Sequence, residues 1–444
     1  MNLLTRLGLG RPDLRAWALY DWANSAMVTT ITTAVFPIYY VKVAGAGLDP
    51  ARATQSYATS TTIGLTLIAL LAPLLGTLAD YVAIKKRLLG LFMGIGVAAV
   101  AMMFFIYRGN LMLAFTLFIL ANIGVNGSFV FYEALLPHIA RTEEMDRVST
   151  AAYALGYIGG GLLLAAQLAW ITFPGKFGLP FGDNLTPEQS TLPARLAFLS
   201  VAVWWVAFSI PMFRVIPEPG VKLDPTDRSG ENPVRLAFSR LAATFRDLRG
   251  FKPAFLMLVA FLIYNDGIGT IIRMATAYGT ELGIGESSLI AAIMIVQFVG
   301  VPFSFLFGAL AGKIGTKPAI YIGLAAYSAI SLLGYRMHNG RDFLLLACLV
   351  GVVQGGTQAL SRSLFASMIP RHRSGEFFGF WGVFEKFAGI FGPLIFTVTL
   401  ALTGSSRNAI LSVILFFVVG AVLLAMVNVP DGQRAARDAE RALE

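Results

Sequence analysis

Four sets of polar residues stand inside long apolar stretches, each at a spacing that gives it one face of a helix. Asp21, Ser25, Thr29 and Thr32 advance by four, four and three positions, with Asn24 beside them. Asn122, Asn126 and Glu133 share a face in the same way. So do Asp266, Thr270 and Arg273, next to Asn265, and Gln354, Gln358 and Ser361, next to Arg362. Polar groups are costly in hydrocarbon, so they face one another, a wet path or a bound solute. The chemistry open to them is recognition through hydrogen bonds and ion pairs, and proton exchange at the carboxylates. Nucleophilic and metal chemistry have no foothold. His138, His338 and His372 fall in or beside loops, Cys348 is the single cysteine, and no CxxC, HExxH or Walker loop is present. No Ser-His-Asp set can be assembled within the membrane, so neither an enzyme, a resident metal nor a cofactor is expected.

The elements that position these faces are membrane spans. The chain has 444 residues, of which 56% are apolar and only 13% charged; its mean hydropathy is +0.70. Charge this sparse is about half the usual share for a soluble domain. The apolar residues come in blocks of about twenty, enough to cross a ~30 Å hydrocarbon layer as helix. Twelve spans are expected, at about 17–43, 56–80, 88–107, 111–136, 149–173, 194–216, 253–280, 287–312, 318–337, 342–369, 377–402 and 407–429. Polar faces on the first, fourth, seventh and tenth imply one shared cavity. The competing reading is glue between helices, which also uses Asn, Gln and Thr. Lys and Arg divide 23 to 8 in favour of the even-numbered loops and the termini, which places both termini in the cytoplasm. That distribution also accounts for the net charge of +9, and a nucleic-acid partner is excluded.

The pattern divides into two six-helix halves, 1–216 and 253–429, joined by a 217–252 cytoplasmic linker and followed by a 430–444 cytoplasmic tail. Within the linker, Val234, Phe238, Leu241, Phe245 and Leu248 recur near helical spacing, as in a surface helix. The halves echo each other. Gly76-Thr-Leu-Ala-Asp80 followed by Lys85-Lys86-Arg87 corresponds to Gly308-Ala-Leu-Ala-Gly312 with Lys313 and Lys317. A small-residue turn with basic residues, repeated in register, is expected of parallel repeats in a transporter.

These two turns resemble the signature loop of the major facilitator superfamily, GxxxD(R/K)xGx(R/K)(R/K). The first departs from it at Tyr81 and Ala83, and the second carries Gly312 where the aspartate is usual. In that family the loop latches the halves together on the cytoplasmic side. The resemblance therefore implies a gate made by Asp80, Lys85, Lys86, Lys313 and Lys317, with Glu133 joining it through Arg141 or Arg147. Further motifs are Trp17-Ala-Leu-Tyr-Asp21-Trp-Ala-Asn-Ser25, Ala154-Leu-Gly-Tyr157-Ile-Gly-Gly160, Tyr264-Asn-Asp266-Gly267, Gln354-Gly-Gly-Thr-Gln358-Ala-Leu-Ser361-Arg362-Ser363 and Phe377-Phe-Gly-Phe380. Together they resemble the "unknown major facilitator" family, related to fungal vacuolar amino-acid effluxers.

The reading is an all-α membrane protein of twelve transmembrane helices with the major facilitator fold. It is a secondary transporter of a small polar or zwitterionic solute, an amino acid or related metabolite, and acts as a monomer among membrane lipids of the inner (plasma) membrane. The cavity set is Asp21, Asn24, Ser25, Asn122, Asn126, Tyr157, Asn265, Asp266, Arg273, Gln354, Gln358 and Arg362. Asp266, half-way through its span, leads Asp21 and Glu385 as the proton-coupling candidate. Arg362 and Arg273 either bind a substrate carboxylate or sit in permanent bridges, Arg362 with Asp21 or Glu385. The alternatives are a proton-driven multidrug exporter and a non-transporting sensor or lipid-handling protein.

Overall fold

The structure is a computed structural model and describes residues 3–48, 50–220, 251–281, 286–387, 391–403 and 405–442. Among the described residues it is helical throughout, without strands. The spans are α1 (Pro12–Ala44), α2 (Gln55–Val82), α3 (Lys85–Phe105), α4 (Leu111–Ile139), α5 (Met145–Thr172) and α6 (Pro187–Val215). The second half holds α7 (Lys252–Glu281), α8 (Glu286–Ile314), α9 (Thr316–Tyr335) and α10 (Gly340–Ala366). It ends with α11, in the pieces Ser374–Phe387 and Phe391–Thr403, and α12 (Arg407–Ala425). Eleven described helices are long and apolar enough to cross a membrane, and α11 supplies the remaining expected span. Expected and observed limits differ by a few residues. The amphipathic segment expected within the linker falls on 221–250, outside the described residues.

The expected tail is ordered. Residues 429–441 form a helix, α13, docked on the protein. Its Glu440 accepts the Arg371 backbone N–H at 2.9 Å, and Gln433 donates to Ser367 at 3.2 Å. The charged composition hid it, because only Gly432 and Ala436 are buried on its inner face.

Two features of α1 set up the site. Pro37 lacks the N–H that would reach the carbonyl four residues back, and Val28–Ala34 is wound as π-helix ahead of it. Thr33 Oγ1 closes that wide turn onto the Val28 carbonyl at 3.0 Å. Such wide turns inside α-helices are frequent at functional sites. At its other end, Trp17 stacks on Tyr132 of α4 at 4.4 Å and donates to that residue's carbonyl at 2.9 Å. Lipid tails are as apolar as the helix surfaces, so close packing and hydrogen bonds of this kind hold spans together.

The repeat inferred from the sequence reappears as matched geometry, which corrects the gate. Lys86 Nζ caps the free carbonyls of Phe213 and Ile216 at the end of α6. Lys317 Nζ does the same for Ala425 and Val427 at the end of α12, at 2.9 and 2.8 Å. Each lysine thus ties the third helix of its half to the sixth, neutralising a helix C-terminus, where cations are favoured. Neither bridges the halves in this way, and Lys313 is exposed.

A candidate substrate cavity between the halves

Arg362 crosses from α10 into the first half. It is 2% exposed. Its Nε donates to Ser149 Oγ at 2.9 Å and its Nη2 to the Ser149 carbonyl at 3.1 Å. Nη1 lies 3.5 Å from Asp21 Oδ2 and 4.0 Å from Glu133 Oε1. The rings of Trp17 and Tyr153 stand 4.9 and 4.7 Å from the guanidinium carbon. Tyr132 completes the group by donating to Asp21 at 2.9 Å. Removing two charges from water costs several kcal/mol per ion, so such a pair adds little net stability. Its value lies in position, because the charge and its partners belong to different halves.

Above this cluster lies a cavity of about 380 Å³ that reaches Met337, Phe343 and Ile410 near the far ends of α9, α10 and α12. Its first-half wall is polar: Asp21, Asn24, Ser25, Thr29, Thr33, Glu133, Tyr153 and Tyr157. Its second-half wall is largely apolar, with Ile271, Ile293, Val296, Ile330, Leu346 and Val350, relieved by Gln297, Gln354, Gln358 and Glu385. Both amide atoms of Asn24 lack hydrogen bonds, although the residue is 1% exposed. Gln297 of α8 donates to Thr29 Oγ1 at 2.8 Å, joining the halves at the start of the π-helical stretch. Tyr157 seats between α8 and α10. A β-carbon at Gly300 would lie 2.8 Å from its ring, and one at Gly355 2.5 Å.

On the side of the termini the halves are closed. Asp80 pairs with Lys85 at 2.6 Å and accepts the backbone N–H groups of Gly375 and Glu376, at the start of α11, at 3.0 and 2.8 Å. Asp146 accepts from Thr316 at 2.6 Å and from Ser363. Ser149 Oγ donates to the Ala359 carbonyl at 2.8 Å. His138 of α4 meets Ser374 Oγ at 3.0 Å.

The residues read from the sequence therefore separate. Asp21, Asn24, Ser25, Tyr157, Gln354, Gln358 and Arg362 line the cavity, together with Glu133 and Glu385. Asn265 stands behind them and accepts from Gln358 at 3.3 Å. Asn122 and Asn126 do not line it. Each donates to a carbonyl one turn earlier in α4, and Asn122 packs on Gly64 of α2. Glu133 faces Arg362 rather than Arg141 or Arg147.

Asp266 is placed away from the cavity. It is 1% exposed, lies outside the cavity wall and accepts the Gly392 N–H of α11 at 2.9 Å. Gly392 has no side chain, so its backbone reaches a carboxylate that mid-span position alone suggested was wet. The Arg273 side chain lies outside the described residues. Gln297, Asp146 and His138 were not among the sequence-based candidates. Gln297 and Asp146 are polar residues in or at the ends of spans, which was a usable signal, but nothing local says that their partners lie across the seam.

A family model described as "Vacuole effluxer Atg22 like" matches residues 10–437. The chain belongs to the Atg22-like family. It is 39% identical over 414 residues to "Uncharacterized MFS-type transporter YxiO" of Bacillus subtilis (strain 168), covering 93% of this chain and 94% of that one. "Autophagy-related protein 22" of Yarrowia lipolytica is 26% identical over 330 residues, covering 68% of this chain and 54% of the fungal protein, so the match spans about half of that relative. Among solved structures, the major facilitator transporter FucP in its outward conformation superposes with a TM-score of 0.67 at 13% identity, covering 95% and 99% of the two chains. A bacterial homologue of the iron transporter ferroportin, outward-facing, gives 0.62 at 14%, covering 96% and 99%. At such identity these two show the fold alone. This Atg22-like chain is a multi-pass membrane protein with the twelve-helix major facilitator fold, a transporter and not an enzyme.

Proposed function

We propose that this chain moves a small polar or zwitterionic solute, an amino acid or related metabolite, across the membrane by rocking its two halves about the cavity floored by Asp21 and Arg362. The observation that carries this reading is Arg362 itself, a second-half charge held among first-half partners at the cavity floor. A contact of that kind is made in one state and broken in the other. Arg362 already has Asp21 and Glu133 as neighbours, so it does not require an anionic cargo. With Asp266 engaged by α11, Asp21 becomes the leading proton-coupling candidate. Proton coupling is also stated for the structural neighbour described as a proton:xylose symporter. Both termini are proposed to be cytoplasmic at the inner (plasma) membrane, and a reporter fused to the C-terminus should read as cytoplasmic.

The test is counterflow and pH-driven uptake by the purified protein in liposomes, screened against a metabolite pool. Asp21→Asn should abolish pH-driven accumulation while leaving counterflow largely intact. Surviving accumulation would remove Asp21 from coupling, and absence of any solute movement would end the transport reading. One observation favours a second reading: the apolar second-half wall suits the export of drug-like compounds. Resistance and dye-efflux assays separate that case.

A further inference from the structure

We infer that His138 is a proton sensor that releases the closed seam on the termini side. The first residues of α11 make consecutive contacts with the first half: Ser374 with His138, and Gly375 and Glu376 with Asp80. The charges facing His138 are Lys85 at the start of α3, and Arg371 with the titratable His372 in the connection before α11. The positive end of α11 lies here as well, since Ser374 is its first residue. The carboxylates of this seam are already engaged, Asp80 by Lys85 and two backbone N–H groups, Glu376 by Arg373 at 3.0 Å, and Asp146 by Thr316 and Ser363. Beyond Ile139, Arg11 and Glu144 pair with each other at 2.8 Å. A neutral imidazole shares a proton with Ser374 at no electrostatic cost. A protonated one must hold a full positive charge in a buried place, beside Lys85, Arg371 and a helix N-terminus, so burial first and like charges second oppose the contact. Acid on this side therefore favours separation of α11 from α2 and α4, and histidine is the side chain whose ordinary titration range fits that role.

This inference does not depend on the cargo, so its failure is separable from failure of the transport reading. Spin labels on the exposed positions Arg87→Cys and Lys313→Cys, in a Cys348→Ser background, report the separation of the two signature loops by pulsed electron resonance. From pH 7.5 to pH 5 the long-distance population should rise about fivefold or more, within the usual range of coupling between linked sites. His138→Gln, which hydrogen-bonds but does not protonate, should remove that response, and His138→Lys should show the long distance at both pH values. His372→Gln should retain the response. The inference is overturned if the parent protein shows no pH response, if His138→Gln responds like the parent, or if His372→Gln alone removes the response. Should His138→Lys fail to fold, the glutamine variant decides.

Discussion

Arg362→Ala is expected to lower the melting temperature in detergent sharply, by the equivalent of about 3–5 kcal/mol, and to abolish transport. The arginine makes two bonds to Ser149 and faces Asp21 inside a wall of aromatic rings. Its removal leaves the Asp21 carboxylate buried without its cation. Arg362→Lys keeps a charge but loses the planar fork that serves Ser149 twice, so an intermediate loss is expected. The decisive measurement is the double variant Asp21→Asn with Arg362→Ala. With no charge stranded, it should recover about 1–3 kcal/mol relative to the sum of the single losses. Strict additivity would show that Asp21 and Arg362 do not act as a pair.

Gly76→Ala is expected to reduce turnover in liposomes by roughly tenfold or more while leaving the melting temperature nearly unchanged. A β-carbon at Gly76 would lie 2.1 Å from the Gly375 carbonyl oxygen and 2.7 Å from its carbon. Both are backbone atoms of the other half, so no side chain can rotate away. Alanine is the better helix former by up to ~1 kcal/mol, so α2 itself should not suffer. The conflict falls on closure of the seam and not on the fold of either half. The reciprocal change, Gly375→Ala, meets the Gly76 carbonyl oxygen at 2.5 Å and should behave alike. Unimpaired turnover in both variants would mean that the seam does not need to close this tightly.

The sequence by itself determined the spans, the doubled signature turns and the cavity contributions of α1 and α10. Each of these rests on a local or periodic property: apolar length, basic residues at loop ends, and polar residues recurring at helical steps. Asp21, Asn24, Gln354, Gln358 and Arg362 were legible because a polar stripe on a membrane helix has few places to face. The same rule failed for Asn122 and Asn126, since a side chain satisfied by its own helix leaves the same pattern as one lining a cavity. It did not place Asp266, which accepts a backbone N–H from a residue 126 positions away. It misplaced Lys86 and Lys317, which look like gate charges in sequence and cap helix ends in space. Only the tertiary structure decided which residues meet across the seam. Asp80 with the start of α11, Asp146 with Thr316 and Ser363, His138 with Ser374, and Arg362 with Ser149 and Asp21 join residues of different halves. A helix fixes the face of each side chain within one turn. The partner opposite that face is set by how two separately folded bundles pack, and that information is spread over both.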